Sequence, residues 1–358
     1  MFLEQIKRFN NPFWMYLLGS LIVILFSILG QIPLSIVIIQ NKTNLVEQLN
    51  PIELIRSIDK NLQLFLLLLP FVIGFFGLWL AVSKLHDRTL VSIATARNQL
   101  DWNRILFSFF VWGGFTVSVV LADVYLFPEE YQWNFNLKSF LLLAVIGILF
   151  IPIQTSVEEF IFRGYLFQGF ATITHNRWMP LLLTSIIFGS LHFYNPEVEK
   201  LGVNILWYYI GTGLFLGIIT LMDEGIELAL GFHAANNLFA ALLVTSNWTA
   251  FQTDSLWIDI SEPKFSINSK KQKISVTANE GNFLTEDEII LEKNVIFKSN
   301  KFKIYTDNVV FNKKTFVASS QDESKFISNN TSIDSAGFDI IENGNIINFK
   351  GKTKLVLK

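Results

Sequence analysis

The chain has 358 residues, 51% hydrophobic and only 16% charged, where an ordinary soluble domain carries about 25% charged residues. That deficit, together with 35 Phe, implies that lipid is part of the solvent. A net charge of −2 gives no electrostatic case for nucleic acid, and the lack of Cys excludes disulfides, thiolate catalysis and Cys-ligated zinc.

The N-terminus, MFLEQIKRFNNPFWMYLLGSLIVILF, starts basic and runs into a long apolar stretch without a prompt small-residue cleavage site. It reads as a first transmembrane helix, not a removed signal peptide. A helical span takes about 20 apolar residues. Spans are expected at about 13–39, 62–83, 105–127, 138–160, 178–194, 203–222 and 226–247, the fifth and seventh being less purely apolar. The expected fold is therefore an α-helical polytopic membrane bundle of about seven helices, six or eight being the alternatives. A small all-β, jelly-roll-like domain follows it. The expected divisions are 1–250 (helical), 251–269 (linker) and 270–358 (β).

Orientation follows from Lys and Arg in the loops. Lys7, Arg8, Lys84, Arg88, Arg97, Arg104 and Arg177 share one side; Lys42, Arg56, Lys60, Lys138 and Lys200 share the other, beside Glu129, Glu130, Glu197 and Glu199. This favours a cytoplasmic N-terminus and a tail outside the cytoplasm. The basic 84–104 segment is read as a topology determinant. His86 and His175 are read as surface residues.

In the tail, period-two alternation marks strands at 273–277, 287–297, 302–306, 315–318, 346–349 and 354–358. Ser-Asn-Lys, Asn-Lys-Lys, Glu-Asn-Gly and Lys-Gly-Lys separate them as turns. Ile290 and Phe302 are expected to face inward.

Ionisable groups at membrane depth cost about 2.5–3.5 kcal/mol each on insertion scales, so each needs a reason. Three clusters stand out. In Glu158-Glu159-Phe160-Ile161-Phe162-Arg163 the two acids point about 100° apart along a helix and cannot share one job. Glu159 and Arg163 can pair at i,i+4, which leaves Glu158 without an intrahelical partner and suited to general-base duty. In Phe188-Gly189-Ser190-Leu191-His192, the histidine falls in an apolar helix with Phe188 one turn before it. In His233-Ala234-Ala235-Asn236-Asn237, His233 and Asn237 share a face at i,i+4. A turn near 175–178 puts Glu158 and His192 each roughly 22–27 Å from that end, at matching depth. His233, about 10 Å into a helix starting near Ile226, needs a broken or re-entrant segment before it, which Asp223-Glu224-Gly225 could supply. Gly213-x-x-x-Gly217 marks close helix contact.

At these residues the sequence resembles the CAAX-protease and bacteriocin-processing family, marked by EExxxR, FxxxH and HxxxN on successive membrane helices. Here these are Glu158-Glu159…Arg163, Phe188…His192 and His233…Asn237, over roughly residues 1–250. The resemblance implies peptide-bond hydrolysis within the membrane. Glu158 would activate a water, helped by His192. His233 and Asn237 would stabilise the oxyanion, and Glu159 and Arg163 would hold the helix and tune Glu158. The family is also metalloprotease-like, and Glu158, His192 and His233 could ligate zinc with water in the fourth place. The zincin HExxH spacing is absent, and a metal-independent glutamate mechanism is the preferred reading. Many relatives carry a further hydrophobic helix after HxxxN; here the chain runs through Trp248-Thr249-Ala250 and Ile258–Lys264 into the tail.

The tail resembles LptC/OstA-like lipopolysaccharide-export jelly rolls, on Leu291-Glu292-Lys293-Asn294-Val295, like their L-x-G-N-V strands, and on the close at 349–357. The expected partners are therefore membrane lipids, a protein or peptide substrate and, through the β domain, lipopolysaccharide or its export proteins. The expected site is a bacterial inner membrane, with the β domain periplasmic. Two other readings stand beside the peptidase: a non-catalytic immunity or scaffold protein using the same fold, and lipid transfer by the tail with the helices as anchor.

Overall fold

A computed structural model describes Glu4, Phe9, residues 11–40, Ile55, 58–246, 248–259, 264–268, 273–278, 280–284, 288–299, 301–312, 314–328, 330–341 and 346–357. Lys7, Arg8, Lys42 and Arg56 of the charge count, the Glu342-Asn343-Gly344 turn, and residues 260–263 and 269 of the expected linker lie outside the described residues. The chain forms two units, Met1–Asp259 and Ile260–Lys358.

The first unit is helical: α1 (Phe13–Gly30), α2 (Ile32–Gln40), α3 (Lys60–Leu80, running into a π turn Ala81–Leu85), α4 (Leu90–Ala94), α5 (Trp102–Leu126), α6 (Leu137–Glu159), a π turn (Phe160–Leu166), α7 (Phe167–Thr174), α8 (Trp178–Ser190), α9 (Pro196–Leu201), α10 (Ile205–Asp223) and α11 (Glu227–Leu243). Side-chain caps start the longer ones. Asp59 accepts from Asn61 and Leu62, Asp101 from Asn103 and Arg104, and Asn136 from Ser139.

Five helical stretches among the described residues are long and apolar enough to cross a membrane: Phe13–Gln40, Lys60–Leu85, Trp102–Leu126, Leu137–Thr174 and Ile205–Asp223. The other two expected spans are apolar helices but shorter. α8 has 13 residues and α11 has 17, which at 1.5 Å per residue is about 20 and 26 Å, short of a hydrocarbon core of about 30 Å. α8 stops at Ser190, before the expected end at 194. Gly189 and Ser190 are weak helix formers, and the chain tightens there through His192 N–H to Gly189 O and Phe193 N–H to Ser190 O. His192 thus lies in the turn after the helix, a correction to its expected place within one.

α11 is enclosed, burying Glu227, Leu230, His233, Ala235 and Leu238 among others. Gly231 allows this, since a Cβ there would stand 2.1 Å from the Ile105 carbonyl oxygen of α5. Gly213 and Gly217 likewise bring α10 against Ser185 and Leu181 of α8, as their spacing foretold.

The break before α11 is where the charge pattern placed it. Glu224 takes φ 58°. The chain is then stitched to the 94–97 turn by Ala96 N–H to Glu224 O (2.9 Å) and Ile226 N–H to Ala94 O (2.8 Å). Arg97 pairs with Asp223 (3.2 Å) and Glu227 (3.3 Å), and Arg104 with Asp223 and Asp101. Arg88 is 5% exposed and donates to Ser92 and Gln168. The basic 84–104 segment therefore has a structural role, its arginines tying neighbouring elements together.

Where many relatives are expected to add a helix, this chain adds a small sheet. β3 (Trp257–Asp259) pairs antiparallel with β1 (Tyr131–Trp133) and parallel with β2 (Val244–Ser246). Residues 257–259, expected in a linker, thus belong to the helical unit.

Among the described residues the second unit is one antiparallel sheet of eleven strands, β4–β14, curled on itself. Its centre is the long pair β7 (Glu288–Ser299) and β8 (Phe302–Asn312). β7 also pairs with β5 (Lys273–Thr277), which pairs with β4 (Lys264–Asn268), and with β6 (Glu280–Phe283). β8 also pairs with β9 (Val317–Ser320) and with β10 (Ser324–Ser328). β10 continues to β11 (Thr331–Ser335) and β14 (Lys354–Leu357); β9 continues to β12 (Gly337–Ile341) and β13 (Ile346–Lys350). The core holds Ile289, Leu291, Phe297, Ile304 and Phe338, with Phe302 packed at its margin. Ile290, expected inward, points to the face opposite Ile289 and Leu291, because side chains alternate along a strand. A bulge interrupts the β7–β8 register between Glu292 and Val295, with Lys293 at φ 61° and Asn294 at φ 52°. Lys293 stands where the resembled pattern has Gly, the residue that adopts this conformation without strain.

His175 is exposed at a left-handed helix cap, as expected. His86 is not a surface residue: it is 4% exposed, 2.7 Å from the Tyr165 hydroxyl and packed on the Tyr16 ring. Burial, reinforced by the Arg88 charge, lowers its pKa from 6.5 to about 4. The unfolded chain therefore takes up a proton from about pH 6.5 downward that the folded chain refuses until about pH 4. Thermal unfolding in detergent should show stability constant above pH 6.5 and falling from there toward pH 4. His86→Gln should flatten that limb.

Candidate active site

The EExxxR motif sits where α6 widens into its π turn, a distortion frequent at functional sites. Glu159, 0% exposed, uses one oxygen twice. Its Oε1 accepts from Arg163 NH1 at 2.8 Å and from His233 Nδ1 of α11 at 2.7 Å. Arg163, 2% exposed, also donates to the Gly213 carbonyl of α10 at 3.4 Å. Its guanidinium lies 4.5 Å from the Phe188 ring centroid. Four helical segments thus converge on one buried ion pair.

Glu158 is turned to a different side. Its Oε2 is 3.6 Å from His233 Nε2, and its Oε1 accepts from Gln154 Nε2 at 2.6 Å. Glu158 does have an intrahelical partner, therefore, contrary to the expectation that it lacked one. Gln154, at i−4, was overlooked because it is neutral; its signal was a polar residue one turn before an acid within an apolar run. The Oε1 of Gln154 accepts from Asn237 Nδ2 at 3.2 Å. Asn237 and His233 lie on one face of α11, as their spacing foretold.

His192 stands beside this group, beyond Phe188. The Phe188 ring is 4.9 Å from His192 and 6.2 Å from His233, centroid to centroid. Phe162 and Phe188 meet at 5.3 Å, so Glu158 and His192, each one turn further on, reach similar depth. His192 Nδ1 donates to the Phe188 carbonyl at 2.8 Å, and its ring stacks on Tyr209 at 4.1 Å.

The expected zinc set of Glu158, His192 and His233 is not gathered as three ligands. Among the described residues no group of three or more His, Asp or Glu is placed to hold a metal ion. His192 is directed to a backbone carbonyl, and His233 Nδ1 is engaged by Glu159. The arrangement in place, between α6 and α11, is a carboxylate and an imidazole 3.6 Å apart, with the carboxamides of Gln154 and Asn237 joined in line to the carboxylate. Such a set can hold a water, accept its proton and present N–H donors to developing negative charge.

A multi-pass membrane protein with this set at its centre is of the intramembrane peptidase kind. The comparisons agree. Residues 132–239 match the family described as type II CAAX prenyl endopeptidase Rce1-like, and residues 250–358 match the one described as lipopolysaccharide-assembly, LptC-related. The chain is also 33% identical over 243 residues to the protein described as uncharacterized protein YyaK of Bacillus subtilis (strain 168), over 66% of this chain and 79% of that one. The chain belongs to the Rce1-like CAAX endopeptidase family and carries an LptC-related domain after it.

Removing one member of a buried ion pair strands the other. Arg163→Met should cost about 3–5 kcal/mol of stability, since Glu159 would be left in a dry site with His233 as its remaining partner. Reversible SDS or thermal unfolding of the purified protein measures it; a loss under 1 kcal/mol would mean that the pair does not hold the site.

Proposed function

We propose that the helical unit hydrolyses a peptide bond of a membrane-bound protein or peptide by a glutamate-activated water. The observation carrying this reading is the 3.6 Å separation between Glu158 Oε2 and His233 Nε2. That gap is too long for a direct hydrogen bond and leaves both atoms able to contact one water lying beside them. The water attacks the scissile carbonyl carbon and passes a proton to Glu158. The new oxyanion takes donors from His233 Nε2–H and from the second N–H of Asn237. Collapse breaks the C–N bond, and Glu158 returns the proton to the leaving amine. His192 assists from beyond Phe188, with Nε2 as its available nitrogen. Glu159 and Arg163 position His233. Zinc chemistry would need a third ligand brought to Glu158 and His233, and the metal-independent route needs none.

The substrate class that fits the family is a prenylated CAAX terminus presented from the bilayer. The excess of Lys and Arg on one set of loops supports a cytoplasmic N-terminus in a bacterial inner membrane, with the β unit periplasmic. Purified Glu158→Gln and His233→Ala variants should each lose cleavage of a quenched, prenylated CAAX peptide by at least about 10²-fold, the lower end of general-base contributions. Unchanged unfolding midpoints would locate the loss in chemistry. Cleavage retained by both variants would remove the mechanism and favour the non-catalytic scaffold.

The LptC-related match favours a second reading for the tail, that its curled sheet binds the acyl chains of lipopolysaccharide or another lipid. Phe302, Phe326 and Phe349 form an aromatic row at the margin of the core, with centroids 5.3 and 5.5 Å apart. Photo-crosslinkers at Phe302 and Phe326 should trap lipid, and one at outward Ile290 should not. Equal labelling at all three would reject the groove.

A further inference from the structure

Five side chains that no motif groups together form one line of hydrogen bonds, from the lipid-facing helix α5 to the proposed base. Trp112 Nε1–H donates to Asn236 Oδ1 at 3.2 Å, and Asn236 Nδ2 donates to Asn237 Oδ1 at 3.2 Å. Asn237 Nδ2 donates to Gln154 Oε1 at 3.2 Å, and Gln154 Nε2 donates to Glu158 Oε1 at 2.6 Å. Every bond points the same way.

The direction has a physical origin. A carboxamide can be flipped end for end, so each of the three amides alone has two orientations of equal shape. An indole nitrogen is a donor only, which fixes Asn236 with its oxygen toward Trp112. Its amino group must then face Asn237 Oδ1, the Asn237 amino group must face Gln154 Oε1, and the Gln154 amino group must face Glu158. Flipping any one amide opposes like atoms at both of its ends. The same orientation holds Asn237 with its nitrogen, not its oxygen, directed toward Glu158's side of the site. The indole itself is held by stacking on Phe232 at 4.1 Å.

We infer that Trp112 and Asn236 are positioning residues, acting through Asn237 and Gln154 to fix which groups face the Glu158 carboxylate. This rests on the proposed role of Glu158 and Asn237. A packing role for the indole predicts something different: Trp112 would contribute through its stacking alone, independently of Gln154. α5 is the least buried of the span-length helices, with 6% of its most apolar window buried, so few of its residues can reach the site at all.

A double-mutant cycle on the full-length protein in detergent separates the two. Trp112→Phe keeps a ring on Phe232 and removes the N–H; Gln154→Met keeps length and removes both amide groups. With a quenched, prenylated CAAX peptide as probe, Trp112→Phe should lower kcat about fivefold, the worth of one neutral hydrogen bond, and leave KM within about twofold. Gln154→Met should lower kcat on the order of 10- to 100-fold, as for a bond to a charged group. The double variant should be no slower than Gln154→Met alone, because the line is already cut. Losses that multiply would overturn the relay. A second readout needs no substrate. The ¹⁵N–¹H resonance of the Trp112 indole, assigned by its disappearance in Trp112→Phe, should shift in Gln154→Met, and an unmoved resonance would equally overturn the relay. If Glu158→Gln still cleaves the peptide, the catalytic reading falls, and the indole resonance still decides whether the line exists.

Discussion

One carboxylate oxygen, Glu159 Oε1, holds the helical unit to a single arrangement. Charge without a partner is expensive in a dry interior, so Arg163 must be placed within reach of Glu159, and both must lie where other helices can complete their bonds. Arg163 reaches the carbonyl of Gly213, a residue that with Gly217 lets α10 lie close to α8. His233 reaches Glu159 from α11, which Gly231 lets lie close to α5. The small residues and the ions are therefore one device. The glycines supply the close approach, and the ion pair makes any other helix rotation costly.

α11 is secured at both ends by different means. At its start, Arg97 and Arg104 draw Asp223 and Glu227 under the 94–97 turn, so that the helix begins already inside the unit. At its end, Thr253 Oγ1 donates to the Ala241 carbonyl at 2.7 Å and Leu256 N–H to Leu242 O at 3.0 Å. Those bonds satisfy carbonyls that a helix terminus leaves open, and the β1–β3–β2 sheet holds the end of the segment, leading into β3, that provides them. A three-stranded sheet can thus close the bundle where a further helix was expected, because what α11 requires at that end is hydrogen-bond donors and cover, not a particular element.

What was legible in the sequence were features set by local spacing. The i,i+4 pairs Glu159–Arg163 and His233–Asn237, the Gly213–Gly217 contact, the break at 223–225, the long strand β7 and the first half of β8 all follow from periodicity or from the cost of a charge in lipid. What was not legible depended on partners distant in the chain. His86 looked like a loop residue because its cover comes from Tyr16 and Tyr165. Gln154, Asn236 and Trp112 carry no charge and match no motif, so only the meeting of α5, α6 and α11 shows their relation. The strands β10, β11 and β12 alternate weakly in sequence, as in SKFIS and TSIDS, and are held by neighbours on the sheet. Ile290 was misassigned because a run of three apolar residues, Ile289 to Leu291, does not say which phase faces the core.

The adjacent acids show how two like groups come to differ. They are one residue apart on a helix, and the rotation between them places Glu159 toward Arg163 and Glu158 toward the space shared with α11. Glu159 Oε1 is saturated by two cationic or N–H donors, while the Glu158 side chain is 15% exposed with Oε2 not in direct hydrogen bond. The bond from Glu159 to His233 Nδ1 orients the imidazole in a way that would serve either a metal-bound or a proton-transferring histidine, so it does not discriminate between them. The neighbours instead settle which atoms stay open: Glu158 keeps Oε2 while Oε1 accepts the N–H of Gln154, and His192 keeps Nε2 while Nδ1 holds the Phe188 carbonyl. Those two atoms are the ones through which each residue can meet a water or a ligand without giving up the bonds that orient it.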